Sequence, residues 1–216
     1  MAFEAYDEYE QGEIVRKWLR QNGVSIIVGI AIGLVGIFGW QQWRNHQARH
    51  QAEAGQLYQQ LQTIVALGAW EQAGQLTSRL QQDYADSPSA VFASSELAQH
   101  EAQAKQLDKA EAALNWAESH AGDPALKALM QLNLARVQLA AAKPADALVT
   151  VGRVQGGLYA ALGEELRGDV LVKLNRLDDA RKAYQAALAA GGENAPQRDA
   201  LQMKLDDLAV AGKQGA

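Results

Sequence analysis

The sequence predicts an all-α protein: a single N-terminal transmembrane helix followed by an α-solenoid of helical hairpins. Three observations predict it. Residues 21–43 carry no charged side chain, a run long enough to cross a bilayer. After Trp43 almost no Val/Ile/Thr-rich stretch alternates with period two, while Ala and Leu dominate the second half of the chain. An alanine also recurs at one register with steps of 37, 37 and 33 residues.

Composition narrows the functions open to this fold. A length of 216 residues fits one ordinary domain plus an appendage. Charged residues make up 21%, which excludes wholesale disorder or membrane embedding. The net charge of −5 gives nucleic-acid binding no electrostatic support. The absence of cysteine excludes disulfide scaffolds, thiol catalysis and Cys-ligated metals, and is compatible with an oxidising or a reducing compartment.

Residues 1–21 form a short polar segment. Its acids are Glu4, Asp7, Glu8, Glu10 and Glu13, with Tyr6 and Tyr9 among them and Arg16, Lys17 and Arg20 closing it. Residues 22–43 follow as the transmembrane helix. At 1.5 Å per residue, 23–43 extends about 30 Å, the hydrocarbon thickness of a bilayer. Trp18 on one side and Trp40 and Trp43 on the other match interfacial aromatic belts. A cleavable signal would have a shorter apolar core and a small-x-small ending, whereas this run closes on Phe38, Trp40 and Gln-Gln-Trp-Arg. A soluble core helix apolar on all sides would need protein all round it. The expectation is a retained membrane anchor. Arg16, Lys17 and Arg20 outnumber Arg44 and Arg49, which puts the N-terminus in the cytoplasm and the larger part beyond the membrane, in a bacterium the periplasm. Gly29, Gly33 and Gly36 share one helix face, a candidate contact with a second transmembrane helix; the alternative is the general abundance of Gly in such helices.

Residues 44–216 are expected to hold about four helical hairpins and a C-terminal capping helix. The recurring alanines are Ala73, Ala110, Ala147 and Ala180. Four residues on stand Thr77, Leu114, Val151 and Tyr184; seven on, Leu80, Ala117, Val154 and Ala187, so each set lines one helix face. A small residue, Ala98, Ala135 or Gly168, lies twelve positions before three of the alanines, where the two helices of a hairpin would cross. Asp86-Ser87-Pro88, Gly122-Asp123-Pro124, Gly156-Gly157 and Gly191-Gly192 read as connections. From Pro196 to Val210, Leu201, Leu205 and Leu208 line a face suited to covering the end of the stack.

This pattern resembles the tetratricopeptide repeat, with departures. Ser94, Gln131 and Glu164 stand where an aromatic landmark is usual, Arg167 occupies an apolar place, and the leading helix of the first unit, near 49–67, aligns poorly. Projecting the register places Phe92, Ser95 and Gln99, then Leu129, Leu132, Arg136 and Leu139, then Leu162, Glu165, Asp169 and Val172 along an inner face. Of these, Phe92, Gln99, Leu132, Arg136, Glu165 and Asp169 are the candidate groove for an extended peptide or a partner helix. The competing expectation for each is packing inside the stack.

Catalytic signatures are missing: there is no GxxxxGK[ST], GxSxG or HExxH. His46 and His50 stand four apart with only Glu53 near enough to be a third ligand; a solvated juxtamembrane face accounts for them, and no metal or cofactor is expected. Asp178-Asp179 and Glu164-Glu165 are adjacent pairs whose side chains point about 100° apart on a helix, so neither converges on a substrate. The chain reads as a non-enzyme.

The order of features, from Val15-Arg16-Lys17-Trp18-Leu19 through Gly39-Trp40-Gln41-Gln42-Trp43 and the degenerate repeats to the closing stretch 201–208, resembles the YfgM-type ancillary subunits of the SecYEG translocon. The resemblance implies a single-pass bacterial inner-membrane protein with a periplasmic repeat domain. Its implied partners are the SecYEG translocon, a membrane-anchored periplasmic chaperone of the prolyl-isomerase type and translocated polypeptides. Two other readings use the same fold: a scaffold for another cell-envelope complex, and a regulator acting through its cytoplasmic N-terminus.

Overall fold

The computed structural model describes residues 4–154, 156–192 and 197–214, and every regular element among them is helical. The chain divides into two units, Met1–His50 and Gln51–Ala216. Helix α1 (Glu4–Ala66) contains no proline, and its Gly residues are scattered rather than paired, so nothing in its sequence breaks it. In the first unit the expected membrane segment is helical, and its apolar side chains stand exposed, Val24 at 76% and Phe38 at 69%. The side chains of residues 1–11, including Tyr6, Tyr9, Glu4, Asp7, Glu8 and Glu10, lie outside the described residues, as does Pro196.

The second unit is a stack of hairpins. The end of α1 leads into α2 (Trp70–Asp83); α3 (Pro88–Gln103) pairs with α4 (Leu107–His120), α5 (Pro124–Ala140) with α6 (Pro144–Val151), and α7 (Ala160–Lys173) with α8 (Leu177–Gly191); α9 (Arg198–Gln214) follows alone. Each hairpin closes the same way. Gly68, Lys105, Ala142 and Asn175 take left-handed φ values of 73°, 62°, 57° and 57°. The next residue's N–H then donates to the carbonyl five positions back: Ala69 to Ile64, Gln106 to Glu101, Lys143 to Gln138 and Arg176 to Leu171, at 2.8–3.1 Å. These are helix ends sealed by a left-handed residue, and each lies five residues before a register alanine.

Those alanines do what their size permits. Ala73, Ala110, Ala147 and Ala180 are buried, as are the residues four and seven positions on and the small residues upstream. A Cβ on Gly168 would sit 2.3 Å from the Tyr184 ring, so only glycine admits that helix crossing. Two connections predicted from proline begin helices: Ser87 and Asp123 accept from backbone N–H groups of the first turn, and Pro88 and Pro124 take the first helical positions, where the missing N–H costs nothing. Successive hydrophobic clusters fill the stack, from Leu57, Leu61 and Leu80 to Leu171, Leu201 and Leu208.

The absent aromatic landmarks are replaced by polar pairs that also follow the register. Gln81 Nε2 donates to Ser94 Oγ at 2.9 Å, and 37 residues on Gln131 Nε2 donates to Glu118 Oε1 at 3.0 Å. Helix α6 is the irregular element, eight residues long against fourteen in α2 and α4 and fifteen in α8. It stops at Gly152, and Arg153 turns back to Glu118 Oε1 at 2.7 Å and Thr150 Oγ1 at 3.2 Å.

Candidate interaction surface

Four of the six residues predicted for the groove sit in two separate places along the inner helices. Gln99 on α3 and Arg136 on α5 line one open depression of about 320 Å³, with Ser95 and Asn133 beside them and Leu114 and Val137 among its apolar lining. Arg136 Nη1 donates to Asn133 Oδ1 at 3.3 Å, and Asn133 Nδ2 to Ser95 Oγ at 3.3 Å. This chain of neutral partners holds the guanidinium in place and leaves its charge uncompensated by any carboxylate among the described contacts. A positive charge above an apolar floor, with amide groups at the rim, can orient a segment that carries a carboxylate or backbone carbonyls.

About two turns before Gln99 on α3 stands Phe92, 38% exposed, its ring 6.3 Å from that of Tyr58. Tyr58 Oη donates to Glu96 Oε1 at 3.1 Å, and Gln62 Nε2 donates to the same oxygen. Burial and the Glu96 carboxylate push the Tyr58 phenol up to about 12. The phenol is therefore a fixed donor at physiological pH, and the Tyr58–Phe92 pair gives this part of the surface an aromatic character.

Glu165 and Asp169 are occupied from within. Lys204 Nζ on α9 lies 2.9 Å from Glu165 Oε1 and 2.7 Å from Asp169 Oδ1, and Tyr184 Oη donates to Asp169 Oδ1 at 2.7 Å. Burial by itself would lower the Lys204 pKa; hydrogen bonds to Asp169 and Glu165 outweigh it and hold the ammonium above its ordinary value. Leu132 corrects the expectation. It is fully buried with Ala135, Val151 and Leu166 in the cluster joining α5, α6 and α7, so it offers nothing to a ligand. Leu129, Leu139 and Leu162 are half-buried against the same cores. Sequence reasoning missed Asn133 and Lys204. Both stand three residues after a buried position in the first helix of a unit, Met130 and Leu201, a spacing that could have found them.

The other charged groups are structural. Glu111 accepts from Lys143 Nζ at 2.8 Å and Gln138 Nε2 at 3.2 Å, and the Lys143 hydrogen bond holds its carboxyl below the usual range against the effect of burial. Asp178 and Asp179 face Arg181 and Arg176, and Glu164 faces Arg167, so the adjacent carboxylates do diverge. Among the described residues no three His, Cys, Asp or Glu side chains converge as metal ligands.

In the first unit Trp18, Trp40 and Trp43 are more than half exposed, and the last two lie 5.2 Å apart, centroid to centroid. Gly29, Gly33 and Gly36 fall within about 60° of one another around α1, and nothing lies within 4 Å of where their Cβ atoms would be.

Residues 16–210 match the family model of the tetratricopeptide repeat-like domain. The chain is 30% identical over 207 residues to the ancillary SecYEG translocon subunit of Escherichia coli (strain K12), covering 94% of this chain and 98% of that protein. It is 30% identical over 209 residues to the protein of the same name from Haemophilus influenzae, covering 96% and 100%. The match to the Neisseria gonorrhoeae protein of that name is 29% over 207 residues, covering 94% and 97%.

Proposed function

The chain belongs to the family of ancillary SecYEG translocon subunits with a tetratricopeptide repeat-like domain, and from that premise we propose that it is a membrane-anchored, non-enzymatic interaction module working beside the translocon. Residues 22–43 are the membrane span, with Trp18, Trp40 and Trp43 at its two interfaces and Gly29, Gly33 and Gly36 as its face toward another helix. Residues 1–21 remain in the cytoplasm and 44–216 form the periplasmic repeat domain. That domain receives newly translocated polypeptides and passes them to a membrane-bound chaperone of the prolyl-isomerase type. Confinement to the membrane raises its effective concentration near such partners, so modest contacts suffice.

The observation that carries this reading is the depression holding Gln99 and an ion-unpaired Arg136, with Phe92 farther along α3 paired to Tyr58 of α1. Amide, guanidinium and aromatic groups together accept varied extended chains without demanding one sequence. A photoreactive residue at position 136 of the full chain in inner-membrane vesicles is expected to cross-link to a translocating chain or a translocon-associated protein during secretion. Cross-links to neither would reject this surface. A reporter fused after Ala216 is expected to be active only outside the cytoplasm; activity inside would reverse the orientation.

A further inference from the structure

We propose that the depression around Gln99 and Arg136 selects extended segments by an acidic side chain, Arg136 taking the carboxylate and Gln99 the neighbouring backbone. This selectivity rests on the inner-face docking proposed for translocated chains and adds the chemistry it prefers. Helices α2 to α8 contain six arginines. Five meet a carboxylate, among them Arg79 with Asp83 at 3.6 Å, Arg153 with Glu118 at 2.7 Å and Arg176 with Asp179 at 2.7 Å. Arg136 alone of the six has no carboxylate among its described contacts. It is exposed, and its partner is a neutral amide, Asn133 Oδ1, reached through Nη1. Asn133 is held in turn by Ser95 on α3. A guanidinium carries five N–H donors in a fixed plane. The Asn133 bond therefore sets its orientation and leaves the Nε–Nη2 edge without an acceptor among the described residues. That edge can grip a carboxylate with two parallel hydrogen bonds.

The register dictates how a segment lies there. Eleven residues before the register alanines stand Gln62, Gln99, Arg136 and Asp169, so these four form one row across the inner helices. The ends of the row are taken. Gln62 donates to Glu96, and Asp169 accepts from Lys204 and Tyr184. The Gln99 amide is exposed and has no hydrogen-bond partner among the described residues. The two middle groups are thus open. Packed helices lie about 8–10 Å apart, about three residues of extended chain. A segment crossing the row with its acid on Arg136 brings a peptide group to Gln99, whose amide can donate to a carbonyl and accept from an N–H. The charges favour an acid over a base. Lys204 already neutralises Asp169 at 2.7 Å, and Glu96 is turned to α1, where Tyr58 and Gln62 donate to it. A basic side chain therefore finds no open partner in this row, whereas an acid finds the Arg136 edge. Leu114 and Val137 below are buried in the domain's own core, so the polar groups at the rim decide what is held. The carboxylate is that of a side chain, because a polypeptide still emerging from the translocon has no free C-terminus to present.

The test uses the full chain in detergent micelles and short fluorescein-labelled peptides on one Val/Ser/Thr frame, amidated at the C-terminus and alike except for a central Glu, Gln or Lys. A fourth peptide has the central Gln and a free C-terminal carboxylate. The Glu peptide should bind about fivefold tighter than the Gln peptide, with the Lys peptide weakest, and the Glu–Gln gap should narrow as salt rises. Arg136→Gln should close that gap while leaving the Gln peptide bound as before, and Arg136→Glu should favour the Lys peptide. Lys127→Glu makes the same charge reversal on an exposed residue about half a turn round α5 from Arg136, and should leave the gap intact. Helicity and melting temperature are checked for each variant. Selection by an acidic side chain is overturned if no peptide binds, if the Glu and Gln peptides bind alike, or if the gap survives Arg136→Gln. It is also overturned if the free C-terminus substitutes fully for the central Glu, which would make this a site for chain ends. The inner-face docking itself is read separately. A photoreactive residue at position 136 removes the guanidinium, so capture there reports the groove without its charge. Capture together with equal Glu and Gln isotherms would keep the groove and reject the selection.

Discussion

Glu101 has a buried carboxylate oxygen, Oε2, without a hydrogen-bond partner, and its counterparts in the repeat explain why. In the next unit the equivalent residue is Gln138, which donates to Glu111 on the preceding helix, α4. Thirty-seven residues before Glu111 stands Gly74, which has no side chain to offer Glu101. Burial therefore raises the Glu101 pKa, with Lys109 and His100 opposing the rise, and its negative charge also sits in the last turn of α3, at the unfavourable end of the helix dipole. A carboxyl raised in the folded state adds stability as pH falls through that raised value and forfeits it as pH climbs. Glu101→Gln should thus stabilise the protein at neutral pH, by roughly 0.5–1 kcal/mol once solvent screening is allowed for. The gain should vanish in acid; urea melts at pH 7 and pH 4 would check it, and equal effects at both would refute the argument. At this scale the sequence was partly legible. Arg136 and Gln99 fell on the surface because the register was right. Leu132 did not, because α5 is covered on two sides, by α4 and by α6 with α7, and a projection from one buried alanine cannot show the second covering. Lys204 was invisible because its partners lie 35 and 39 residues away on α7.

At the scale of the element, the four hairpin turns show how similar backbones tolerate dissimilar residues. Gly68 and Asn175 are at ease with positive φ, whereas Lys105 and Ala142 bear the Cβ clash of that conformation. Ala142→Gly should accordingly stabilise the α5–α6 hairpin by about 0.5–1 kcal/mol, the relieved strain outweighing the extra freedom of the unfolded chain. A rise in melting temperature for Ala142→Gly, set against a fall for Gly68→Ala, would confirm it. The buried alanines could be read from sequence because helix packing demands small size. The left-handed positions could not, since neither Lys nor Ala announces one; only their constant distance from the alanine does. The proline connectors were legible as boundaries but not as starting points, because the capping role of Ser87 and Asp123 depends on the direction in which the chain leaves the turn. The shortness of α6 was foreshadowed by the third repeat step, which is four residues less than the others, about one helical turn.

At the scale of the whole molecule, the second unit behaves as a row in which each hairpin leans on its neighbours, so damage at one end should stay local. Leu208 is buried against Leu171, Tyr184 and Ala187 at the end of that row. Leu208→Ala should cost about 2–3 kcal/mol, and hydrogen exchange should speed up through α8 and α9 while α3 to α5 keep their protection. A uniform loss of protection would contradict this picture. The all-helical architecture and the apolar segment of α1 were legible because periodicity and hydropathy accumulate over many residues. The polar pairs linking successive hairpins were not, because each joins helices through one or two side chains. A row of like units also has a hazard: an unfinished tip invites another copy to add on, and head-to-tail addition that does not close grows into filaments. Helix α9 answers it. It takes the place of a first helix in the register, Leu201 and Leu205 matching Met130 and Leu134 of α5. Its solvent side shows Gln202, Asp206 and Asp207, with Met203 as its exposed large hydrophobic residue. Asp206 and Asp207 on that surface disfavour the approach of a second copy of a chain that carries a net charge of −5.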